Sequence, residues 1–338
     1  MMSSERLIYF FKGSNNEVID HYFFIVEQAL KRIGFNVAYI ESFDILKKLN
    51  RKSYIFVAEL RHSIPLIIRG FRNIIYWNQG TTPDEDYMRR KSTFRKLVLQ
   101  VCEYITFRRS AYLLFVSEYM RIYYAKKYKM SFADNSYIMP CFNTNLKEES
   151  FVSDKYKNNI FCYIGSLAKW QCFEETLDVY KAIEKHLEYN CELRVFTNQQ
   201  DEAKRLLQEK GIKNSSVQYV ESSRLHEHLQ ECKYGFLIRE NNPVNHVATP
   251  TKMSTYLSCG IIPIYSDCIK DFSKIFSSKK YFVEVPCASK ELPLNSLLKT
   301  ENIDTRDVYD EYKEIFDTYY NTEKHISKLS AILDTIHK

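Results

Sequence analysis

The chain has 338 residues, is 45% hydrophobic and 27% charged, and carries a net charge of +6, so it can bury sizeable cores and is not a disordered protein. Only 8 Gly, only 8 Pro and the lack of an internal repeat exclude a collagen-like or low-complexity protein. No stretch approaches the ~18 consecutive apolar residues of a membrane-spanning helix, and the length suits two domains.

The first part of the chain alternates apolar runs with helical segments. We predict strands, in chain order, at LIYFFKG, FNVAYIES, YIFVAEL, NIIYWNQG, AYLLFV and SYIMP. Between the first two runs, apolar positions fall on one helical face, and Gly34 ends that helix. These positions are Val18, Tyr22, Ile25 and Ala29. The alternation predicts an α/β fold with a parallel sheet.

The pattern restarts after a polar, aperiodic segment, CFNTNLKEESFVSDKYKNN, which we interpret as a linker. Further strands are predicted at IFCYIGS, ELRVFT, VQYV, YGFLIRE and IIPIYS, with helical segments between them. We therefore predict two Rossmann-like domains, residues 1–148 and 149–306, with ligands at the carboxyl ends of the strands, facing a cleft. A C-terminal helix is predicted over residues 307–338.

The stretch HVATPTKMSTYLSCGIIP, residues 246–263, raises an electrostatic question. Thr249 is a good N-cap and Pro250 suits the first helical position, which makes Lys252 the third residue of a helix. A cation in the first turn opposes the helix dipole, unless an anion binds there. Arg239 ends the preceding strand, YGFLIRE, so both cations are predicted to meet a phosphate or diphosphate. The alternative is a surface lysine that points away.

A second loop, YIGSLAKWQCFEE, runs from a strand into a helix. Gly165 permits close approach of the backbone to a ligand, as phosphate-binding loops require. Ser166 and Lys169 are candidates for phosphate contacts, and Trp170 and Gln171 for contacts with a base or sugar. Packing of Trp170 in the core is the alternative. Neither GxxxxGK[ST] nor GxGxxG is present, so the standard nucleotide motifs do not apply.

These motifs resemble those of GT-B glycosyltransferases of the family-4-like, group 1 type. YIGSLAKWQ, YGFLIRENNPVN and PTKMSTYLSCGIIPIYS resemble the donor-nucleotide domain, and YWNQGTTPDEDYM, LLFVSEYMRIYYAKKY and YIMPCFN resemble the acceptor domain. The resemblance is greatest to members that build capsule, lipopolysaccharide or other surface polysaccharides. It implies retaining transfer of a sugar from a UDP- or GDP-linked donor to a glycan or lipid-linked acceptor, without a cofactor or metal.

The resemblance also assigns roles in the second domain. Arg239 and Lys252 match the phosphate-binding cations, and we expect them to stabilise the departing diphosphate. Thr251 and Thr255 are expected beside the same nucleotide, although Thr255 stands where the family has a ribose-binding glutamate. The chain departs from the family at two more positions: Val247 replaces another glutamate, and Ser166 replaces a frequent arginine.

In the first domain, Gly13 and Ser14 match the family's small-residue loop and are expected to bind substrate. The segment of Asn78, Gln79 and Gly80 is expected to do the same. Gln79 stands about where many relatives have a histidine near the donor sugar; it can hydrogen-bond a hydroxyl but cannot act as a base.

Glu85 is the nearest carboxylate to this segment and a catalytic candidate, either for sugar binding or for acid–base help. The alternative is that Asp84, Glu85 and Asp86 together cap the basic helix that follows.

By resemblance, the C-terminal helix is expected to pack back toward the N-terminal domain, and packing on its own domain alone is the alternative. We expect the contact from one set of side chains: Tyr309, Tyr312, Ile315, Phe316, Tyr319 and Tyr320.

Location and partners are inferred from cysteine usage and charge. Nine scattered cysteines without a Cys-x-x-Cys pair favour reduced thiols, and the first residues lack the pattern of a signal peptide, so we expect a cytoplasmic protein. Residues 72–130 hold twelve Lys or Arg against five Asp or Glu, which suits anionic lipid, or is simply a solvated helix face. We expect a peripheral position at the inner face of the membrane if the acceptor is lipid-linked, and no nucleic-acid partner.

Three other functions remain open at this point. The missing glutamates favour a catalytically silent GT-B subunit that binds a partner transferase or a glycan. A sugar-nucleotide epimerase of the same fold is the second alternative, and a nucleic-acid-modifying glucosyltransferase, suggested only by the basic stretch, is the third.

Overall fold

The structure is a computed structural model, and it describes residues 6–13, 17–40, 42–287 and 303–336. The chain forms two compact units, the first from Met1–Asn143 with Asn321–Lys338 and the second from Thr144–Tyr320. The first division lies close to the expected boundary after residue 148. The second lies inside the predicted C-terminal helix. No helix of the described residues is long and apolar enough to cross a bilayer.

The first unit is built on a parallel sheet of six strands in the order β2-β1-β3-β4-β5-β6. The strands are β1 (Arg6–Phe11), β2 (Phe35–Ile40), β3 (Tyr54–Val57), β4 (Ile74–Asn78), β5 (Tyr112–Phe115) and β6 (Ser136–Ile138). The helices that precede the second unit are α1 (Glu17–Arg32), α2 (Leu60–Ile68), α3 (Thr82–Arg90), α4 (Thr93–Arg109) and α5 (Glu118–Tyr128).

The predicted apolar face of α1 is confirmed. Tyr22, Ile25 and Ala29 are fully buried, and the Tyr22 ring stacks on Trp77 of β4 with centroids 3.6 Å apart. Gly34 takes a φ of +83°, a left-handed conformation that glycine adopts without strain, and ends the helix as predicted.

The second unit repeats this architecture, with a parallel sheet in the order β12-β11-β10-β7-β8-β9. The strands are β7 (Ile160–Ile164), β8 (Glu192–Phe196), β9 (Ser215–Gln218), β10 (Tyr234–Leu237), β11 (Ile262–Ser266) and β12 (Val283–Val285). The helices are α6 (Phe173–His186), α7 (Gln200–Glu209), α8 (Ser222–Leu229), α9 (Pro243–His246), α10 (Lys252–Ser258), α11 (Lys270–Phe276) and α12 (Thr305–Thr318). Strand β9 begins two residues before the predicted VQYV run.

The segment interpreted as a linker is instead largely part of the second unit. Its two 3₁₀ turns, Glu148–Ser150 and Ser153–Lys157, pack against the end of α10. The ammonium group of Lys155 is buried and donates hydrogen bonds to the carbonyl oxygens of Ser150 (3.2 Å) and Cys259. The contact with Cys259 joins residues 104 positions apart, so the local polar pattern could not reveal it.

The predicted C-terminal helix is two helices, α12 and α13 (Thr322–Ile336), separated at Asn321. The Asn321 side chain accepts a hydrogen bond from the backbone N–H of Lys324 (2.7 Å), which caps the start of α13. Helix α13 packs on α1 within the first unit, where Ser330 donates to the carbonyl of Ala29 (3.0 Å). The return to the N-terminal domain is therefore made by α13.

The six side chains expected to make that contact belong to the second unit. Tyr312 shows why: its buried hydroxyl donates to the carbonyl oxygens of Tyr281 (2.9 Å) and Ile261 (3.2 Å). Tyr312 of α12 thus anchors this helix within its own unit, and a contact of the six side chains with the N-terminal domain stays a prediction.

Candidate functional site

Two cations meet on one amide oxygen at the carboxyl edge of the second sheet. Arg239 follows β10 and donates to both the carbonyl oxygen (3.0 Å) and the side-chain Oε1 (2.7 Å) of Gln171. Lys252, the first residue of α10, donates from Nζ to the same Oε1 at 2.8 Å. The end of β10 and the start of α10 therefore lie close together, as predicted, and the Gln171 side chain lies between their two cations.

This cation pair has no carboxylate partner among the described residues. Arg239 is only 5% exposed. Burial lowers the pKa of Lys252 well below its ordinary value, and the positive charge of Arg239 lowers it further. Burial likewise lowers the pKa of Arg239. A buried arginine and a half-buried lysine that share a neutral acceptor leave positive charge uncompensated, and an anion would compensate it.

Gly165, after β7, makes room for the lysine. Its φ is +116°, and a Cβ at this position would lie 2.9 Å from Cε of Lys252. The ammonium group then lies 4.3 Å from the centroid of the Tyr163 ring, within reach of a cation–π interaction. A larger residue at position 165 would displace the Lys252 side chain, so the glycine is required for the cation pair.

Helix α10 starts two residues later than predicted. The helix begins at Lys252, with Thr251 before it, and Thr249 is a buried residue upstream. Pro250 starts a separate turn, in which its carbonyl accepts from the N–H of Met253 (3.1 Å). Since α10 has only seven residues, the candidate site depends on the two side chains and not on a helix dipole.

The other predicted residues of this edge have varied positions. Ser166 and Lys169 are exposed on the loop after β7, and Trp170 is half-buried beside them. Thr255 donates to the carbonyl of Thr251 (3.2 Å) within α10. Nucleotide contacts by these residues stay predictions.

Val247 is fully buried, so the family's first glutamate is replaced here by a core residue.

At the corresponding edge of the first sheet, Gly13 follows β1 and lies against His62 of α2. A Cβ at position 13 would overlap the His62 ring, which packs on Phe11 with centroids 4.5 Å apart. His62 is 7% exposed, and its Nδ1 has no hydrogen-bond partner among the described residues. Sequence reasoning missed His62; its place just beyond a buried strand was the available signal. Ser14 lies outside the described residues.

The segment after β4 is divided between core and surface. Asn78 is 1% exposed and donates to the sulfur of Met120 (3.2 Å), so its side chain points into the core. Gln79 donates from Nε2 to the carbonyl of Ala58 (3.0 Å). The carbonyl of Gly80 accepts from a buried tyrosine of α5. Substrate binding by this segment stays a prediction.

Glu85 differs from its acidic neighbours. Its Oε1 accepts the backbone N–H of Thr81 at 3.1 Å, and burial raises the pKa of this carboxyl. A Cβ at Gly80 would overlap the same oxygen, so the glycine leaves space for the carboxylate.

The two flanking acids of α3 are engaged in ion pairs. Asp84 pairs with Lys96 at 2.7 Å, and Asp86 pairs with Arg90 and Arg95, both at 3.1 Å. The following helix α4 is capped by Ser92, and the carboxylate that accepts from the N-cap residue of α3, Thr81, is that of Glu85. Asp84 and Asp86 therefore make ion pairs and not the expected capping contacts. Within the described ranges, no three His, Cys, Asp or Glu side chains come together as a metal site would require.

Comparison with known proteins identifies the architecture. No family model matches the chain, and no curated protein matches it in sequence. Solved structures of glycosyltransferases do match it over nearly its whole length, with two parallel six-stranded sheets flanked by helices. The chain has the GT-B fold, as its motifs predicted.

Three of these structures illustrate the likeness. Sucrose-phosphate synthase from Thermosynechococcus elongatus gives a TM-score of 0.72 at 12% identity, covering 98% of this chain and 99% of that chain. Alr3699/HepE from Anabaena, in complex with UDP and glucose, gives a TM-score of 0.67 at 8% identity, covering 98% of this chain and 100% of that chain. WaaG, a glycosyltransferase involved in lipopolysaccharide biosynthesis, gives a TM-score of 0.61 at 10% identity, covering 95% of this chain and 99% of that chain.

Proposed function

We propose that this protein is a glycosyltransferase that moves a sugar from a UDP- or GDP-linked donor to a glycan or lipid-linked acceptor. The observation that carries the proposal is the cation pair of Arg239 and Lys252, which meets on one neutral oxygen at the carboxyl edge of the second sheet of a GT-B fold. The structure of HepE with UDP and glucose is consistent with a nucleotide-sugar donor.

The cation pair would act on the leaving group. As the acceptor hydroxyl attacks the anomeric carbon, the bond to the diphosphate breaks and negative charge grows on its oxygens. Arg239 and Lys252 would stabilise that charge, and a phosphate oxygen would replace Gln171 Oε1, because an anionic acceptor forms stronger hydrogen bonds than an amide. The hydroxyl proton passes to the diphosphate or to a carboxylate, for which Glu85 is our candidate.

Retention of anomeric configuration and a role in surface polysaccharide synthesis are what the family resemblance implies, and both are part of the proposal. The match to WaaG, a protein of lipopolysaccharide biosynthesis, supports the second of these. One observation favours a catalytically silent subunit instead: Val247 and Thr255 stand where the family has glutamates, and Val247 is core. A silent subunit would show no turnover of any nucleotide sugar.

A surface of the first unit suits a lipid membrane. Helix α4 exposes four apolar side chains on one face, here named the α4 stripe. They are Phe94, Leu97, Val98 and Val101, with 76, 56, 45 and 58% exposure. The opposite face is held by the buried Glu103, which accepts hydrogen bonds from Tyr124 (2.8 Å) and Lys127 (3.0 Å) of α5. The stripe is therefore the outer face of a well-anchored helix.

Cations surround the α4 stripe, with Lys91, Arg108 and Arg109 all exposed. Apolar side chains within a basic surface are typical of proteins that bind the interface of an anionic bilayer. We propose that the stripe contacts the inner face of the cytoplasmic membrane, where a lipid-linked acceptor would be found.

The central experiment is a thermal-shift screen of UDP-, GDP- and CMP-linked sugars. Ligand at a hundred times its dissociation constant stabilises a protein by about 2.7 kcal/mol, which raises the melting temperature by several degrees. We expect a UDP- or GDP-linked sugar to give this shift and to be consumed when acceptor is present. If no nucleotide or nucleotide sugar shifts the transition, the proposed function is wrong.

A further inference from the structure

Two cysteines occupy equivalent places at the edge of the second sheet. The register of the parallel pair β11–β12 sets Ser266 beside Val285, the last residue of each strand. Cys268 and Cys287 each follow two residues later. The backbone N–H of Cys287 donates to the Asp267 side chain at 2.9 Å, which holds the two strand ends together.

Both thiols are directed at one backbone atom. The Sγ atoms of Cys268 and Cys287 lie 3.5 and 3.2 Å from the carbonyl oxygen of Arg239, and Sγ of Cys268 lies 3.4 Å from the carbonyl oxygen of Glu240. Each thiol has a single proton, which it can donate to one of these neighbours at a time. Both cysteines are free thiols. A hydrogen bond between the two thiols lowers the pKa of Cys287 and raises that of Cys268. The two sulfur atoms therefore share the space around one carbonyl oxygen, at the ends of two paired strands.

The two thiols differ in access to solvent. Cys268 is 1% exposed, whereas Cys287 is partly exposed on a loop. A partly exposed thiol of lowered pKa beside a buried second thiol is the arrangement of a peroxide-sensitive cysteine with its resolving partner. A second pair of neighbouring thiols, Cys162 and Cys232, is fully buried and offers an internal comparison.

We propose that Cys268 and Cys287 form a reversible disulfide when the protein meets hydrogen peroxide. The Cys287 thiolate attacks one peroxide oxygen, the O–O bond breaks, and a sulfenic acid forms as hydroxide leaves. The Cys268 sulfur then attacks the Cys287 sulfur, the S–S bond forms, and the sulfenic oxygen leaves as water. In total two thiols are oxidised and one peroxide is reduced to two water molecules.

The disulfide would act on the phosphate-binding arginine. Oxidation removes the S–H donors beside the Arg239 carbonyl and draws the sulfur atoms to a bond length of about 2.05 Å. The backbone N–H of Arg239 donates at 2.8 Å to Ser266, the last residue of the strand that precedes Cys268. The oxidised protein should therefore bind nucleotide more weakly. This consequence rests on the proposed function, whereas disulfide formation does not.

The test is peroxide treatment of the folded, full-length protein, alkylation of the remaining thiols and peptide mass spectrometry without reduction. We expect a Cys268–Cys287 cross-link that dithiothreitol reverses, while Cys162 and Cys232 stay alkylatable only after unfolding. Cys268→Ser should trap a sulfenic acid on Cys287, detected with dimedone. Cys141→Ser, the control, should cross-link normally. Full alkylation of both thiols after peroxide, or a cross-link to another cysteine, would overturn the proposal.

A second measurement compares UDP and GDP binding by the reduced and oxidised protein in a calorimeter. We expect at least about fivefold weaker binding after oxidation, because each lost hydrogen bond contributes about 1 kcal/mol. Equal affinities with the cross-link present would remove the regulatory part of the inference. If reduced protein binds neither nucleotide, the proposed function fails, and the mass-spectrometric result still decides whether the disulfide forms.

Discussion

The two sheets have the same size and the same parallel pairing, yet their carboxyl edges carry opposite chemistry. The edge of the second sheet holds the cation pair of Arg239 and Lys252, with Gln171 as their shared acceptor. The first edge holds the carboxylate of Glu85 and the imidazole of His62. The fold brings strand ends together in both units, and only the side chains placed there decide what each unit can bind.

The largest effect should come from the cation pair. Arg239→Ala and Lys252→Ala should each weaken nucleotide binding by about 1.5–3 kcal/mol, which is roughly ten- to 150-fold, since each removes a charge-assisted hydrogen bond. Calorimetry with the nucleotide that the screen identifies measures this. Lys204→Ala, at an exposed position of α7, is the matched control for net charge. Unchanged affinity in both cation variants would place the nucleotide elsewhere.

The second effect concerns pH. Burial and Arg239 lower the pKa of Lys252, so the unfolded chain binds this proton more tightly than the folded one. The free energy of unfolding should therefore rise with pH between the folded-state pKa and the ordinary value of about 10.4. As the pH increases through the same range, nucleotide-sugar affinity should fall by up to about tenfold per pH unit, because the neutral amine of Lys252 no longer attracts the diphosphate.

Urea unfolding and nucleotide-sugar titrations across this pH range test both slopes, and Lys252→Met provides the control. The variant should lose both pH dependences and should be at least as stable as the parent when no nucleotide is present, because it removes a buried like charge beside Arg239. A variant that keeps the parent's slopes would show that another group titrates.

The first edge should respond differently. Glu85→Gln keeps the size of the side chain but removes its charge, so we expect turnover to fall at least about fivefold while nucleotide affinity stays the same. Asp86→Asn serves as the control, since it also replaces a carboxylate of α3 with an amide, but one that is paired with Arg90 and Arg95. Loss of nucleotide affinity in Glu85→Gln would contradict the assignment of nucleotide binding to the second sheet edge alone.

The smallest effect is expected at the membrane surface. Arg109→Ala should weaken binding to vesicles of phosphatidylglycerol and phosphatidylcholine by about 1 kcal/mol, or about fivefold, and added salt should weaken it further. Leu97→Ser, in the α4 stripe, should reduce binding without changing its salt dependence. Cosedimentation measures both. Equal binding of the parent protein to neutral and anionic vesicles would contradict a membrane role for the first unit.

Much of the fold was predictable because strands buried on both faces are continuous apolar runs. Eleven strands coincide with predicted runs, whereas the three-residue β12 left too short a pattern to recognise. Arg239 and Lys252 were predictable together because strand ends and helix starts meet at one edge in this topology. The start of α10 was misjudged because Pro250 begins a turn that looks the same in sequence.

The missed features depend on contacts between distant segments. Nothing near Gln171 in sequence indicates that its amide accepts from residues 239 and 252, 68 and 81 positions away. The polar segment around Lys155 looked like a linker because its carbonyl partners belong to α10 and the turn before it. Cys268 and Cys287 share an acceptor because of the register between β11 and β12, and this register cannot be read from the sequence.

Helix α13 has a consequence for biosynthesis. Because α13 covers α1, the first unit is made of two segments separated by the whole of the second. A ribosome adding 5–20 residues per second needs roughly ten to forty seconds to synthesise the stretch between Asn143 and Thr322. During that time the α1 surface beneath Ser330 has no cover. The nascent first unit is thus the part of the chain that most needs protection by a chaperone, although its sheet is synthesised first.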